Sequence, residues 1–336
     1  MPRLDLHPRP SGVIVAVPIL AEASSEIERL ELQQQMLDDL LSAHETEDLV
    51  FWYYTPLAIE FSDHVRPDLC VYDCMDELSG FRGASPRLGA LERRLFGRCD
   101  IVFAGGQSLY EAKRDKHPNV HAFPSSIDKG HFAKARREGV IDPPDQAPLR
   151  RPRIGFFGVI DERMDLELVG KAANLRPGWE FVMLGPVVKI DAATLPKTPN
   201  VHWLGSKQYS ELPSYLAGWD AGFMPFALNE ATRFISPTKT PEFLAAGIPV
   251  VSTEIVDVVR PYGRAGLVEI ASCPEEMVLK LDLLLARTSS AWLQKVDRYL
   301  ADLSWDHTWE GMGAIMRSNM RRNSLPAATV SASSRG

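Results

Sequence analysis

Short apolar stretches alternating with segments of helical spacing, twice over along the chain, constrain the fold more than any other feature of this sequence. In the first half, residues 12–20 (GVIVAVPIL) read as a strand, followed by a helix over 26–41. Ile27, Leu30, Leu32, Met36, Leu37, Leu40 and Leu41 recur there close to helical spacing. Strands are expected at 49–54, 69–74, 101–104 and 120–123, with helices at 88–96 and 109–116. The second half repeats the pattern, with strands at 153–157, 180–184, 201–204, 221–225, 249–252 and 267–270. Helices are expected between and after them, at 165–174, 212–217, 243–246, 274–286, 292–303 and 309–317. Such alternation builds βαβ units and a mostly parallel sheet.

Between the halves, residues 140–152 (VIDPPDQAPLRRP) hold four prolines and no periodic pattern. This stretch is expected to be a linker of restrained stiffness, at 141–152. The expected organisation is therefore a Rossmann-like domain over 1–140, a second over 153–304, and a helix at 305–322 returning toward the first. The tail at 323–336 is too poor in apolar residues to offset the entropy of ordering it. The fold class is α/β, two doubly wound domains facing a cleft. Ligands of such sheets bind beyond the carboxyl ends of the strands.

At 336 residues the chain is long enough for two cores. A net charge of −7 argues against general nucleic-acid binding, which needs a basic face to neutralise phosphates. Arg317, Arg321, Arg322 and Arg335 make the extreme end basic. That end reads either as a contact for anionic lipid head groups or, more commonly, as a solvated terminus. Cys70, Cys74, Cys99 and Cys273 form no Cys-x-x-Cys pair and stand beside no histidine pair of metal-site spacing, so a reducing compartment and no metal are expected. Residues 1–10 lack the apolar region of a signal peptide, and no window is long and apolar enough to span a bilayer. The expected location is cytoplasmic, with room for a peripheral membrane contact.

The densest chemistry lies in residues 229–253, NEATRFISPTKTPEFLAAGIPVVST. Pro237 and Pro241 are compatible with a helix only in its first turn, so a helix must begin between Ser236 and Thr240. Gly247 suits its C-terminal cap, and Pro249 blocks continuation. Ser236, Pro237, Thr238, Lys239 and Arg233 thus frame a helix start suited to an anion. Glu242, one turn inside, can accept hydrogen bonds from vicinal hydroxyls. The same spacing also describes a capped connector helix with Glu242 exposed.

Residues 236–251 (SPTKTPEFLAAGIPVV) resemble the donor-binding segment of retaining GT-B glycosyltransferases, often written P-x-K-x-x-E-[YF]-x-A-x-G-x-P-V. Residues 123–132 (FPSSIDKGHF) are similar to that family's I-P-N-G-V-D-x-x-x-F segment, with two serines in place of Asn-Gly. Residues 92–108 and 200–220 resemble two further landmarks, and the likeness covers roughly residues 65–310. It implies that Glu242 holds the nucleotide ribose and that Ser236, Pro237, Thr238 and Lys239 meet the diphosphate. Many relatives carry a second glutamate eight positions before Glu242, where this chain has Phe234. The likeness also implies a first domain short at its front by about fifty to seventy residues, judged from typical βα unit lengths.

Gly158, just after the strand at 153–157, sits where backbone can approach a phosphate, and Arg163 could pair with it. Lys189 reads as a surface lysine. Asp73, Asp76 and Glu77 fall at or just past the end of a first-domain strand. Asp76 is nearest the position where relatives place a catalytic or sugar-binding histidine, and Asp73 and Asp76 are the catalytic candidates. Gly105, Gly106 and Ser108, at the next strand end, are candidates for acceptor or phosphate contact. His202 and His307 read as structural.

The reaction implied is transfer of a sugar from a UDP-, GDP- or dTDP-sugar to a hydroxyl of a polysaccharide or lipid-linked glycan precursor. It is expected to need no cofactor or metal and to retain anomeric configuration. Lys239, Arg233 and Arg163 would stabilise the leaving diphosphate. The alternatives are a nucleotide-sugar epimerase on the same fold and a non-catalytic binding or assembly protein.

Overall fold

The computed structural model describes residues 2–21, 25–44, 47–287 and 290–323. The expected unstructured tail lies outside them from residue 324 onward, as does Arg335; the side chains of Arg321 and Arg322 are likewise not described.

The chain starts with a hairpin. β1 (Arg3–Pro8) and β2 (Ile14–Ile19) pair antiparallel, Arg3 opposite Ile19, in a sheet of their own. The strand expected at 12–20 is thus present but belongs to no parallel sheet. Only residues 9–13 separate it from β1, and a turn that short joins antiparallel strands, whereas a parallel pair needs a crossover. α1 (Glu26–Ser42) follows, opened by a capping box. The Ser25 backbone N–H donates to Glu28 Oε2 at 2.7 Å, and the Glu28 N–H donates to Ser25 Oγ at 3.2 Å. None of the α1 residues is buried.

Next comes a four-stranded parallel sheet whose spatial order matches its sequence order: β3 (Val50–Tyr53), β4 (Leu69–Cys74), β5 (Ile101–Ala104) and β6 (Val120–Ala122). α2 (Ile59–Ser62), α3 (Leu88–Phe96) and α4 (Gln107–Lys113) connect them. Right-handed crossovers that all step the same way put their helices on one face. That face buries Cys70, Tyr72 and Cys74 of β4 against Leu91, Leu95 and Phe96 of α3. The opposite face presents Leu69, Val71, Ile101 and Phe103 and must be covered from elsewhere in the chain.

Beyond β6 the chain leaves this sheet earlier than the prolines suggest. Ile127, Phe132 of α5 (Lys129–Phe132) and Ala135 already belong to the second core. Residues 141–152, expected as the linker, are therefore part of the second domain's surface. Gln146 is fully buried there, donating to the Tyr215 carbonyl at 3.0 Å and accepting from Trp219 Nε1 at 2.7 Å. Prolines stiffen a segment, but shared core contacts set the domain boundary.

The second sheet has six parallel strands: β7 (Arg153–Phe157), β8 (Glu180–Leu184), β9 (Val201–Gly205), β10 (Ala221–Met224), β11 (Val250–Ser252) and β12 (Glu269–Ile270), in spatial order β12-β11-β10-β7-β8-β9. In chain order its helices are α6 (Leu166–Leu175), α7 (Leu212–Ala217), α8 (Lys239–Ala245), α9 (Val256–Val258), α10 (Pro274–Arg287) and α11 (Ser290–Leu300). Helices lie on both faces, since strand order reverses at β7: the chain moves outward to β8 and β9, then returns to β10 on the other side. This reversal leaves a crevice at the carboxyl ends of β7 and β10. β7 is buried throughout, with Ile154 and Phe156 in one core layer and Phe157 in the other. α12 (Trp305–Asn323) then returns to the first sheet, where Met312, Ile315, Met316 and Met320 cover the face that its own crossovers leave bare.

Candidate functional site

The cleft between the sheets closes over a cavity of about 180 Å³ at the crevice between β7 and β10. Met75, Asp76 and Ser125 form one wall; Phe156, Arg163, Pro225, Phe226 and Ser236–Lys239 are prominent on the other. Ligand pockets usually measure about 300–1,000 Å³, so this space holds only part of a nucleotide-sugar while the domains stand this close.

α8 begins at Lys239, with Pro241 in its first turn, and Gly247 (φ +78°) ends it by accepting a left-handed conformation. The Thr238 side chain does not cap the helix. Lys239 therefore projects from the first turn toward the carboxyl end of β7. Its approach requires the glycine there: a Cβ on Gly158 would lie 2.0 Å from Lys239 Cε. Gly158 also has φ +133°, a conformation that side chains rarely adopt. The Lys239 ammonium lies 5.8 Å from the centroid of the Phe156 ring and, among the described residues, makes no hydrogen bond or ion pair. Burial pushes the lysine down and Glu242 up to about 7, while their mutual attraction opposes both changes. Two half-buried charges that compensate each other incompletely leave net demand for an anion at Lys239.

Arg163 is held differently. Asp161, itself buried, accepts from Arg163 Nε at 3.0 and 3.1 Å and from Nη2 at 2.8 Å. The Phe81 ring of the first domain lies 5.5 Å from the guanidinium and 5.1 Å from Lys189 Nζ, so one aromatic bridges two cations of the second domain. Lys189 is exposed, as expected of a surface lysine, and also joins the domain contact, and Phe81 was not foreseen. Across the cavity, burial pushes the Asp76 carboxyl up and the positive charge of Arg163 partly restores it.

Not every candidate converges here. Asp73 points to the sheet face under α12, where Oδ2 accepts from Trp52 Nε1 at 3.1 Å and the buried Oδ1 has no hydrogen-bond partner among the described residues. Burial raises it to about 6. Alternation along β4 puts Asp73 on the face of Leu69 and Val71, so the strand itself directs it away from the cavity. Glu77 and Glu92 both bind the buried Lys113, at 2.7 Å each, which anchors the loop carrying Asp76. Arg233 is an exposed residue paired with Glu230 at 3.6 Å and does not line the cavity. Gly105, Gly106 and Ser108 meet protein: Gly105 lies against Met75, Gly106 against Asp257 and Ser236, and the Ser108 N–H donates to Asp257 at 3.0 and 3.3 Å.

Residues 151–287 match the family described as glycosyl transferases group 1. The chain carries a group 1 glycosyltransferase domain on a GT-B fold. The group 1 domain includes Gly158, Arg163, Lys239 and Glu242. TuaH of Bacillus subtilis (strain 168), named for a glycosyltransferase role in teichuronic acid biosynthesis, is 28% identical over 240 residues, 66% of this chain. The match spans 59% of that relative's length. Sucrose-phosphate synthase from Thermosynechococcus elongatus has the same fold, with a TM-score of 0.69 at 13% identity over 95% of this chain and 86% of that one. Anabaena HepE, solved in complex with UDP and glucose, superposes with a TM-score of 0.62 at 13% identity, over 87% of this chain and 83% of its own.

Against the GT-B pattern, Phe234 now has an explanation. Reaching out of the group 1 domain, it packs into the apolar cluster of the first sheet with Phe51, Ala58 and Tyr110. The position where many relatives carry a glutamate here makes an apolar domain contact. Among the described residues no cluster of histidine, cysteine and carboxylates suited to a metal is present. None of the described helices is long and apolar enough to cross a membrane.

Proposed function

We propose that this chain transfers a glycosyl group from a nucleotide diphosphate-sugar to a hydroxyl of a cell-envelope polysaccharide or lipid-linked glycan precursor. The reading is carried by one observation: Lys239, unpaired in the crevice of the group 1 domain, seated over Gly158 and facing Asp76 across the cavity. The diphosphate would lie on Lys239, Arg163 and the backbone of residues 236–238, with Glu242 accepting from the ribose hydroxyls. The acceptor hydroxyl oxygen bonds to the anomeric carbon as the bond to the diphosphate oxygen breaks, and the leaving electron pair goes to the diphosphate. The hydroxyl proton passes to a diphosphate oxygen or to Asp76, whose burial raises its proton affinity. Cations fixed where negative charge develops stabilise that transition state without reorganising; the proposal assigns this to Lys239 and Arg163, without a metal.

The UDP complex of HepE and the name of TuaH favour a UDP-sugar and an anionic wall polymer as the first donor and acceptor to try. Retention of anomeric configuration is carried over from the likeness of residues 236–251. The test is release of UDP together with a glycosylated product, compared between the native chain and Asp76→Asn. A fall in turnover of about a hundredfold with donor binding preserved is expected. An isomerised donor with no UDP released, or UDP binding without turnover, would replace the proposal with an epimerase or a binding protein. The anomeric proton coupling of the product tests retention.

A further inference from the structure

The cavity is assembled from two domains, so its width depends on how they are registered. Most contacts across the cleft attract without setting a distance. Phe81 and Phe234 contribute aromatic and apolar contact, which is only weakly directional. Arg260 and Glu111 pair at 2.8 Å, but both side chains are substantially exposed, where such pairs contribute little. Asp257 differs. It is buried, and its carboxylate accepts from the Ser108 backbone N–H, a directional bond across the domain boundary.

The segment that Asp257 grips touches both walls. A Cβ on Gly105 would lie 2.6 Å from the Met75 carbonyl oxygen, on the Asp76 wall. A Cβ on Gly106 would lie 2.3 Å from Asp257 Oδ2 and 2.9 Å from Ser236 Cβ, on the donor wall. The backbone at Gly106 is extended (φ −166°), so close approach rather than unusual torsion demands glycine there. The β5–α4 turn is thus a spacer between Met75 and Ser236, seated by Asp257.

From these contacts we infer that Asp257 is a positioning residue for transfer: by seating the β5–α4 turn against Ser236, it fixes the separation between Asp76 and the donor-side cations in the closed state. The kinetic part of this inference rests on the glycosyl-transfer reading; the docking part does not.

The experiment compares Asp257→Ala, Asp257→Asn and Gly106→Ala in the full chain. It uses small-angle scattering without ligand, calorimetric titration with UDP, and steady-state transfer. Asp257→Ala should open the domains, enlarging the radius of gyration, and lower kcat by about tenfold to a hundredfold with UDP affinity within about twofold of native. Asp257→Asn keeps an oxygen that can accept from the Ser108 N–H and should restore most of the loss. Gly106→Ala leaves Asp257 intact, obstructs the seat from the opposite domain, and should reproduce Asp257→Ala. The inference is overturned if both alanine variants keep the native scattering curve and kcat. It is equally overturned if UDP affinity falls as far as kcat, or if asparagine fails to rescue. Should Asp257→Ala not fold, Gly106→Ala decides alone. A native chain that neither binds UDP nor transfers sugar would overturn the functional reading, while the scattering comparison would still judge the docking.

Discussion

The two sheets are built from the same units yet offer different surfaces at their carboxyl ends. In the second sheet the strand order reverses between β7 and β10, and the crevice there admits Lys239 over Gly158. In the first, strands succeed one another without reversal, and the corresponding ends meet protein: Gly105 and Gly106 lie against Met75, Asp257 and Ser236. Topology thus gives one domain a crevice lined by Lys239 and Arg163 and makes the other the wall that carries Asp76.

The sharpest way to break this contrast is Lys239→Ala. Removing the cation should lower turnover about a thousandfold, read as UDP released per enzyme, while the melting temperature changes little, because loss of a desolvated cation is offset by Glu242 left without its compensating charge. Gly158→Ala attacks the same feature through the backbone: its Cβ would collide with the Lys239 side chain, and alanine would be held at a φ of +133°. A fall of about a hundredfold in turnover and of about 1–3 kcal/mol in stability is expected, from activity and denaturant unfolding.

On the other side of the comparison, Asp73→Asn should leave transfer within about twofold of native and alter only the response to pH, because Asp73 lies under α12 rather than in the cleft. Its folded-state value, about 6, lies above the ordinary 3.8, so the folded protein binds this proton more tightly than the unfolded chain. The associated stability is fully present below 3.8 and is lost as pH rises through about 6. Asp73→Asn should flatten that part of the unfolding-against-pH curve, worth roughly 3 kcal/mol, as measured by urea midpoints. An unchanged curve would show Asp73 to be better solvated than its surroundings imply. Arg233→Ala should do least, changing donor KM less than about twofold, since an exposed pair with Glu230 contributes little; a tenfold rise would return Arg233 to the site.

Much of the Lys239 side of the cleft was readable in the sequence because its signals are local. Proline at 237 and 241 with glycine at 247 bounds one helix, and the start of that helix places Lys239 and Glu242 on adjacent turns. The strand at 153–157 and the glycine after it follow from an apolar run and its break. By contrast, Asp73 and Asp76 look alike in sequence, and only the pleat of β4 and the course of the loop after it turn one toward α12 and the other toward Arg163. Phe81 and Asp257 carried no signal, and Phe234 stood out only as a departure from the likeness, because an exposed-looking aromatic or carboxylate shows its partner only once a distant segment is packed against it. Sequence alone therefore determined the parallel strands and the longer helices, though not β1, α2, α5 or α9, and the cluster of cations near the start of α8, consequences of torsional limits and near-neighbour spacing. Tertiary structure decided where one domain ends, which carboxylate faces the cleft and what holds the cleft shut, because those depend on contacts between residues as far apart as Ser108 and Asp257.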